Sequence, residues 1–293
     1  MYDPNKNHDK IENYFSKSLG YQVKFVQAKM LTKSSQEAPW KIVIEADGTE
    51  KSYVFQLNPK TIEYEFQVLK TMERIPIPTP VAYGLDKSGV EIGTPCYFCD
   101  FIEGETLLEP MLSGEQWAED LYIEAVCDLQ SVTEEDLGKF AKKLKFETAE
   151  DVLEDAYSEL KKRSLPLAEV AYQILKKSIP ELPPVRFSNG DLWLENFIVK
   201  DQKLAGVIDF PNATFSDPIF EFLLTFFVSS ELQGRGIEER FCRKLGYDFS
   251  ILHWYHGLEY FDTWRWVLKT GEDFVHHTAE SLEIDIRKWL EDE

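Results

Sequence analysis

Residues 187–199 read FSNGDLWLENFIV, and VIDF follows at 207–210. VRFSN (185–189) is a short extended run, and Gly190 permits a tight turn after it. Asp191 stands at the tip of the loop, and Asn196 closes it just before the apolar run at 197–199. Asp201 and Gln202 turn the chain, and LAGVIDF (204–210) returns as a second strand with Asp209 near its end. Strands joined by so short a turn pair antiparallel. The hairpin is therefore expected to bring Asn196 and Asp209 to one end, with Asp191 in the loop that leads in. Oxygen donors of this kind suit Mg²⁺, which takes one or two protein ligands and completes its shell with phosphate oxygens. A further carboxylate outside that shell orients and deprotonates a hydroxyl. Those are the parts of a phosphoryl transferase.

The block resembles the aminoglycoside phosphotransferase and choline kinase superfamily, a branch of the protein-kinase-like fold. That family's block reads H-G-D-x-x-x-x-N, then a strand pair ending I-D-F or I-D-W, then G-D-P. This chain has NGDLWLEN, GVIDF and, at 216–218, SDP. The resemblance implies that Asp191 is the catalytic base and that Asn196 and Asp209 are magnesium ligands. It also implies that Asp217 is a structural aspartate tying the loop to the next helix. Upstream, YFCDFIEGETL resembles the family's strand-hinge segment, which implies that the backbone of Asp100 and Ile102 bonds adenine. EFQVLKTM followed by IPIPTPVAYG resembles the N-lobe helix and its proline-bearing loop, which implies that Glu65 is the helix glutamate. The resemblance extends over residues 20–230.

The chain departs from the family pattern at two positions. Asn189 replaces the loop histidine, a structural brace. Gln56, in YVFQLNP, stands where the family has a lysine or arginine that contacts the phosphates and pairs with the helix glutamate. Gln56 donates hydrogen bonds but carries no charge, and charge-assisted contacts are the stronger ones. Lys41, at the start of the preceding strand, is the candidate replacement cation. The nucleotide loop, KMLTKSSQEAPW (29–40), has no glycine, and Ser34 and Ser35 are its candidate phosphate contacts.

The hydrophobic pattern supports this organisation. A short amphipathic helix at 9–19 precedes strand-like runs at 21–31, 40–46 and 52–57, with the turn signal DGT at 47–49. Helical periodicity over 59–75 sets Ile62, Phe66, Leu69 and Met72 on one stripe, and IPIPTP stops that helix. PCYFCDFIEG (95–104) gives another strand. Beyond it, helices are expected at 115–130, 134–145, 148–163, 167–179, 217–231, 236–245, 248–270 and 272–292. The expected fold is α+β and two-lobed, with a small antiparallel-sheet N-lobe over 1–102 and a mostly helical C-lobe over 103–293.

Composition narrows the partners. The formal net charge of −20 opposes nucleic acid and anionic membranes. Residues 101–160 alone hold 17 Asp and Glu against 4 Lys and Arg, a net of −13. An acidic surface attracts cations, so the expected acceptor is cationic: an aminoglycoside, aminosugar or amino alcohol. In this family the C-terminal helices shape the acceptor site, which implies Glu259, Asp262 and Trp266 in the aromatic stretch 253–266. No apolar run reaches membrane-spanning length, and no signal peptide is evident. Cys96 and Cys99, three apart on a strand, face opposite sides; they read as free thiols in a cytoplasmic protein.

The expected activity is transfer of a phosphoryl group from ATP or GTP, with Mg²⁺, to a hydroxyl of a small molecule. The alternative is a nucleotide- or metabolite-binding pseudoenzyme, suggested by Gln56 and Asn189. A protein kinase is disfavoured, because no glycine-rich loop, DFG or APE segment is present.

Overall fold

The structure, a computed structural model, describes residues 2–31, 39–57 and 60–292. In chain order, α1 (His8–Leu19) precedes β1 (Lys24–Met30), β2 (Trp40–Ala46) and β3 (Thr49–Gln56). Then come α2 (Ile62–Met72), β4 (Ala82–Asp86), β5 (Cys96–Asp100) and β6 (Glu105–Thr106). The following stretch gives α3 (Leu108–Leu112), α4 (Gln116–Leu129), α5 (Glu134–Leu137), β7 (Phe146–Glu147), α6 (Ala149–Lys161) and α7 (Pro166–Lys177). The motif-bearing segment supplies β8 (Arg186–Ser188), β9 (Phe197–Lys200), β10 (Lys203–Val207) and β11 (Thr214–Ser216). Four helices complete the chain: α8 (Pro218–Phe227), α9 (Ile237–Leu245), α10 (Leu252–Thr270) and α11 (Ala279–Glu291). The fold is α+β, as the pattern of runs implied. No described helix is long and apolar enough to cross a membrane.

The chain forms two compact units. One comprises Met1–Thr106, Glu134–Lys142 and Glu195–Ala213; the other comprises Leu107–Thr133, Lys143–Leu194 and Thr214–Glu293. The division follows strand pairing rather than one cut after residue 102. β6 pairs with β9, Glu105 opposite Val199 and Thr106 opposite Ile198, which keeps the β9–β10 hairpin with the N-terminal sheet. Gly104 makes that approach possible, since a Cβ there would lie 2.4 Å from the Val199 carbonyl oxygen.

The first unit is built on a five-stranded antiparallel sheet in the order β1-β2-β3-β5-β4. Alternation along the strands sends successive side chains to opposite faces. Tyr53, Phe55 and Phe98 meet α1, where Phe15 stacks on Phe98 at 3.9 Å between centroids. Tyr97 points the other way and meets Phe66 of α2 at 5.7 Å. Cys96 and Cys99 are buried free thiols on opposite faces of β5, one beside Tyr14 and one beside Glu65. The side of α2 that is buried includes Glu65 and Val68 besides Ile62, Leu69 and Met72. A carboxylate is thus committed to the sheet.

The second unit packs helices around α10, whose Trp254, Tyr255, Leu258, Phe261 and Trp264 are buried. Gly257 lets α11 close on α10, because a Cβ there would lie 2.3 Å from the Trp289 ring. Two expected helices are shorter than their periodicity. The helix expected over 134–145 breaks into α5 and a 3-10 segment at Gly138, which has φ +57. The helix expected over 272–292 begins only at Ala279, after a Thr278–Ser281 capping box. Before it, Phe274 and His277 exchange backbone hydrogen bonds of 3.0 and 2.8 Å and close a loop.

Candidate active site

In the first unit, the β9–β10 hairpin pairs Phe197 with Val207, and the Ile208 N–H donates to the Asn196 carbonyl at 2.9 Å. Asn196 and Asp209 therefore flank one end of the hairpin. Asn196 is buried at 8% exposure. Asp209 has φ +63, a left-handed conformation that few side chains adopt and that concentrates at functional sites. Beside it, Glu65 is buried, and burial pushes its carboxyl up to about 7. The Tyr97 hydroxyl and the Phe210 backbone act in the opposite direction, while the Asp209 charge adds to the rise. Among the described residues, no lysine or arginine pairs with Glu65.

Gln56 ends β3 opposite Tyr97, on the sheet face that α2 covers. Lys41 of β2 stands opposite Val54. It therefore shares the face of Gln56, one strand over and two residues displaced. The Lys41 ammonium sits 3.6 Å from the centroid of the Phe101 ring and 3.8 Å from the Glu103 carboxylate. It is thus drawn to the hinge segment rather than standing free in solvent. At the hinge, Asp100 N–H is taken by the Val81 carbonyl at 3.0 Å and Phe101 N–H by Ser52 at 3.2 Å. The Ile102 N–H donates to no protein acceptor among the described residues. Ser34 and Ser35 lie outside the described residues.

In the second unit, the loop around Asp191 is pinned from below. Tyr122 donates its hydroxyl to the Leu192 carbonyl at 2.7 Å, and Thr225 donates to the same oxygen at 3.1 Å. The Asn189 side chain, fully buried, donates to the Asp191 carbonyl at 2.9 Å and accepts the Asp191 N–H at 3.4 Å. It braces the loop through these two bonds. The Asp191 side chain remains exposed and accepts the Trp193 N–H at 3.2 Å. Asp217 caps α8: Oδ1 accepts Ile219 and Phe220 N–H groups at 3.0 Å each, and Oδ2 accepts the Tyr255 hydroxyl at 2.9 Å.

A cavity of about 350 Å³ opens beside Asp191, lined by Trp193, Glu221, Leu224, Thr225, Val228, Phe274 and Val275 among others. Sequence reasoning missed Glu221 and the 274–275 loop. Glu221 lies one turn beyond Asp217 on α8 and belongs to no motif, and Val275 falls within a helical pattern. The Ser188 and Ser216 hydroxyls donate to the two oxygens of Glu221. Burial raises its carboxyl to about 7, against those bonds and with the help of the nearby Asp191 charge. The three residues expected to shape the acceptor site do not line this cavity. Glu259 is buried at 2% exposure within α10, Asp262 pairs with Arg265 at 2.5 Å, and Trp266 meets the edge of Phe274 at 5.4 Å.

The sequence profile of the phosphotransferase enzyme family matches residues 40–258, which hold the hinge, the hairpin, Asp191 and α8. The chain belongs to that family. Solved structures of aminoglycoside phosphotransferases are among those that share its fold. A protein of Ralstonia eutropha JMP134 assigned as an aminoglycoside phosphotransferase superposes with a TM-score of 0.69 at 16% identity, over 97% of this chain and 95% of that one. A ternary complex of a thermostable mutant of the aminoglycoside phosphotransferase APH(4)-Ia with AMP-PNP and hygromycin B gives 0.66 at 14% identity, over 96% and 98%. Mouse acyl-CoA dehydrogenase family member 10 is 25% identical over 201 residues, 63% of this chain. The match spans 19% of that relative's length.

Among the described residues, no three His, Cys, Asp or Glu side chains converge as a metal site. The candidate donor set is instead one amide, Asn196, and one carboxylate, Asp209, beside adjoining strand ends. That set fits a hard cation completed by phosphate oxygens and water.

Proposed function

We propose that this protein transfers the γ-phosphoryl group of ATP or GTP to a hydroxyl of a small molecule. Asn196 and Asp209 would hold Mg²⁺, which supplies charge neutralisation on the phosphates when bound. Asp191 orients the acceptor hydroxyl and takes its proton, which leaves the oxygen free to form the new P–O bond as the bond to the nucleoside diphosphate breaks. The backbone of Asp100 and Ile102 receives the base, and Ser34 and Ser35 serve the phosphates. Lys41 supplies the cation that Gln56 lacks, since the two share one face of the sheet. Most of the rate enhancement then comes from positioning and electrostatics. The net charge of −20 and the Asp191–Glu221 pair favour an acceptor with cationic character, and the free thiols suit a cytoplasmic setting.

The observation that carries this reading is the hairpin that sets Asn196 beside a left-handed Asp209. Melting temperature, measured with ATP and GTP with and without Mg²⁺, tests it. A Mg²⁺-dependent rise that Asp209→Ala removes is expected, because a ligand of the native state stabilises it by mass action. One observation favours nucleotide binding without transfer as a second reading: Glu65 is buried and, among the described residues, pairs with no lysine or arginine. That reading predicts the same shift with no phosphorylated product.

A further inference from the structure

The cavity beside Asp191 constrains the acceptor, an inference that rests on the kinase reading of Asp191. Besides the Trp193 indole, which only donates, three polar side chains reach the cavity: Asp191, Glu221 and Thr225. The Thr225 hydroxyl is already committed to the Leu192 carbonyl and to Tyr122 at 3.0 Å. Asp191 receives the reacting hydroxyl. Beyond Asp191, Glu221 is the one other carboxylate among the lining residues, and each of its oxygens already takes one serine hydroxyl.

The rest of the wall is apolar. Leu224 and Val228 lie one turn apart on α8, and Phe274 and Val275 face the cavity from the closed loop before α11. Leu224 is 41% exposed and Val275 65% exposed, so neither is spent on the core. Val275 is also held at φ +56, a strained conformation for a β-branched residue. An ammonium group brought against such a wall loses water without gaining an acceptor. A molecule with several amino groups meets two carboxylates on this wall, and one of them is engaged by the reacting hydroxyl. The volume, about 350 Å³, lies near the lower end of small-molecule sites.

We propose that the acceptor is an alcohol with an apolar carbon skeleton bearing no more than one amino group. Its skeleton packs on Leu224, Val228, Phe274 and Val275, its hydroxyl meets Asp191, and any single donor group is received by Glu221.

The test uses n-alkanols of increasing length and kanamycin, with two readouts: binding by titration calorimetry without nucleotide, and phosphorylation with Mg²⁺-ATP. Affinity is expected to rise about fourfold per added methylene until the cavity is filled. kcat/KM should rise in step. Val275→Asp should lower alkanol affinity at least tenfold, whereas Val275→Leu should preserve the series. Graded binding without phosphorylation would uphold the apolar acceptor site and remove the kinase reading. Phosphorylation of kanamycin with a flat alkanol series would uphold the kinase reading and overturn this proposal. No binding by any alkanol would overturn it as well.

Discussion

At the scale of single residues, the account divides labour between a few side chains. Asp191 is exposed on a loop whose backbone is held by Asn189, Tyr122 and Thr225, so its removal should cost chemistry and little stability. Asp191→Asn is expected to lower kcat about a thousandfold with an unchanged melting temperature, checked by steady-state kinetics beside calorimetry. Asn189→Ala should act differently: it frees a buried loop, and both stability and kcat should fall. Lys41 is the residue on which the missing strand cation is proposed to depend. Lys41→Met should weaken Mg²⁺-nucleotide binding about tenfold or more, read from the nucleotide concentration needed for half-maximal thermal shift. An unchanged titration would assign the phosphates to other groups. The residues of the hairpin were legible in the sequence because their spacing is rigid. Glu221 was not, since its placement depends on how α8 is capped.

At the scale of elements, caps and turns decided what periodicity alone did not. The strands β2 and β3 and the helices α4, α6, α7 and α9 fall close to where alternation and helical spacing put them. The segment before α11 did not, because its helical pattern is interrupted by a left-handed Val275 and a capping box at Thr278. The unit boundary was also hidden, since it depends on the two-residue strand β6 pairing with β9. Asp217 shows how much one cap carries. Asp217→Ala removes the cap of α8 and leaves the buried Tyr255 hydroxyl without its partner, a loss of about 2–4 kcal/mol. Chemical denaturation would measure it. Asp86, at the end of β4, accepts the N–H groups of Ser88, Gly89 and Glu91 and the Ser88 hydroxyl. Burial opposes its charge, but these bonds win and hold its carboxyl below the usual value. A lowered folded pKa adds stability above the unfolded value of about 4, and that stability is lost as pH falls through the folded one. The stability gap between wild type and Asp86→Asn should therefore be full at neutral pH and close in acid.

At the scale of the whole molecule, charge and chemistry point to one kind of partner. A chain with a net charge of −20 repels itself, and salt screens that repulsion. The melting temperature without ligand should rise between low and physiological ionic strength, as calorimetry would show. The same charge opposes nucleic acid as a partner, and the cavity proposed for a small molecule is lined by residues of the second unit. The chain passes from that unit to the one that holds the β9–β10 hairpin between Leu194 and Glu195. Asp191 and Asn196 are thus set five residues apart, on either side of the passage. The central claim is that this passage serves phosphoryl transfer, and phosphorus NMR tests it most directly. The protein would be followed with Mg²⁺-ATP and a mixture of hydroxyl compounds. The account predicts a phosphomonoester signal that grows as the γ-phosphate signal decays, and that is absent with Asp191→Asn. A product formed equally by Asp191→Asn, or no product from the wild type despite bound nucleotide, would contradict it.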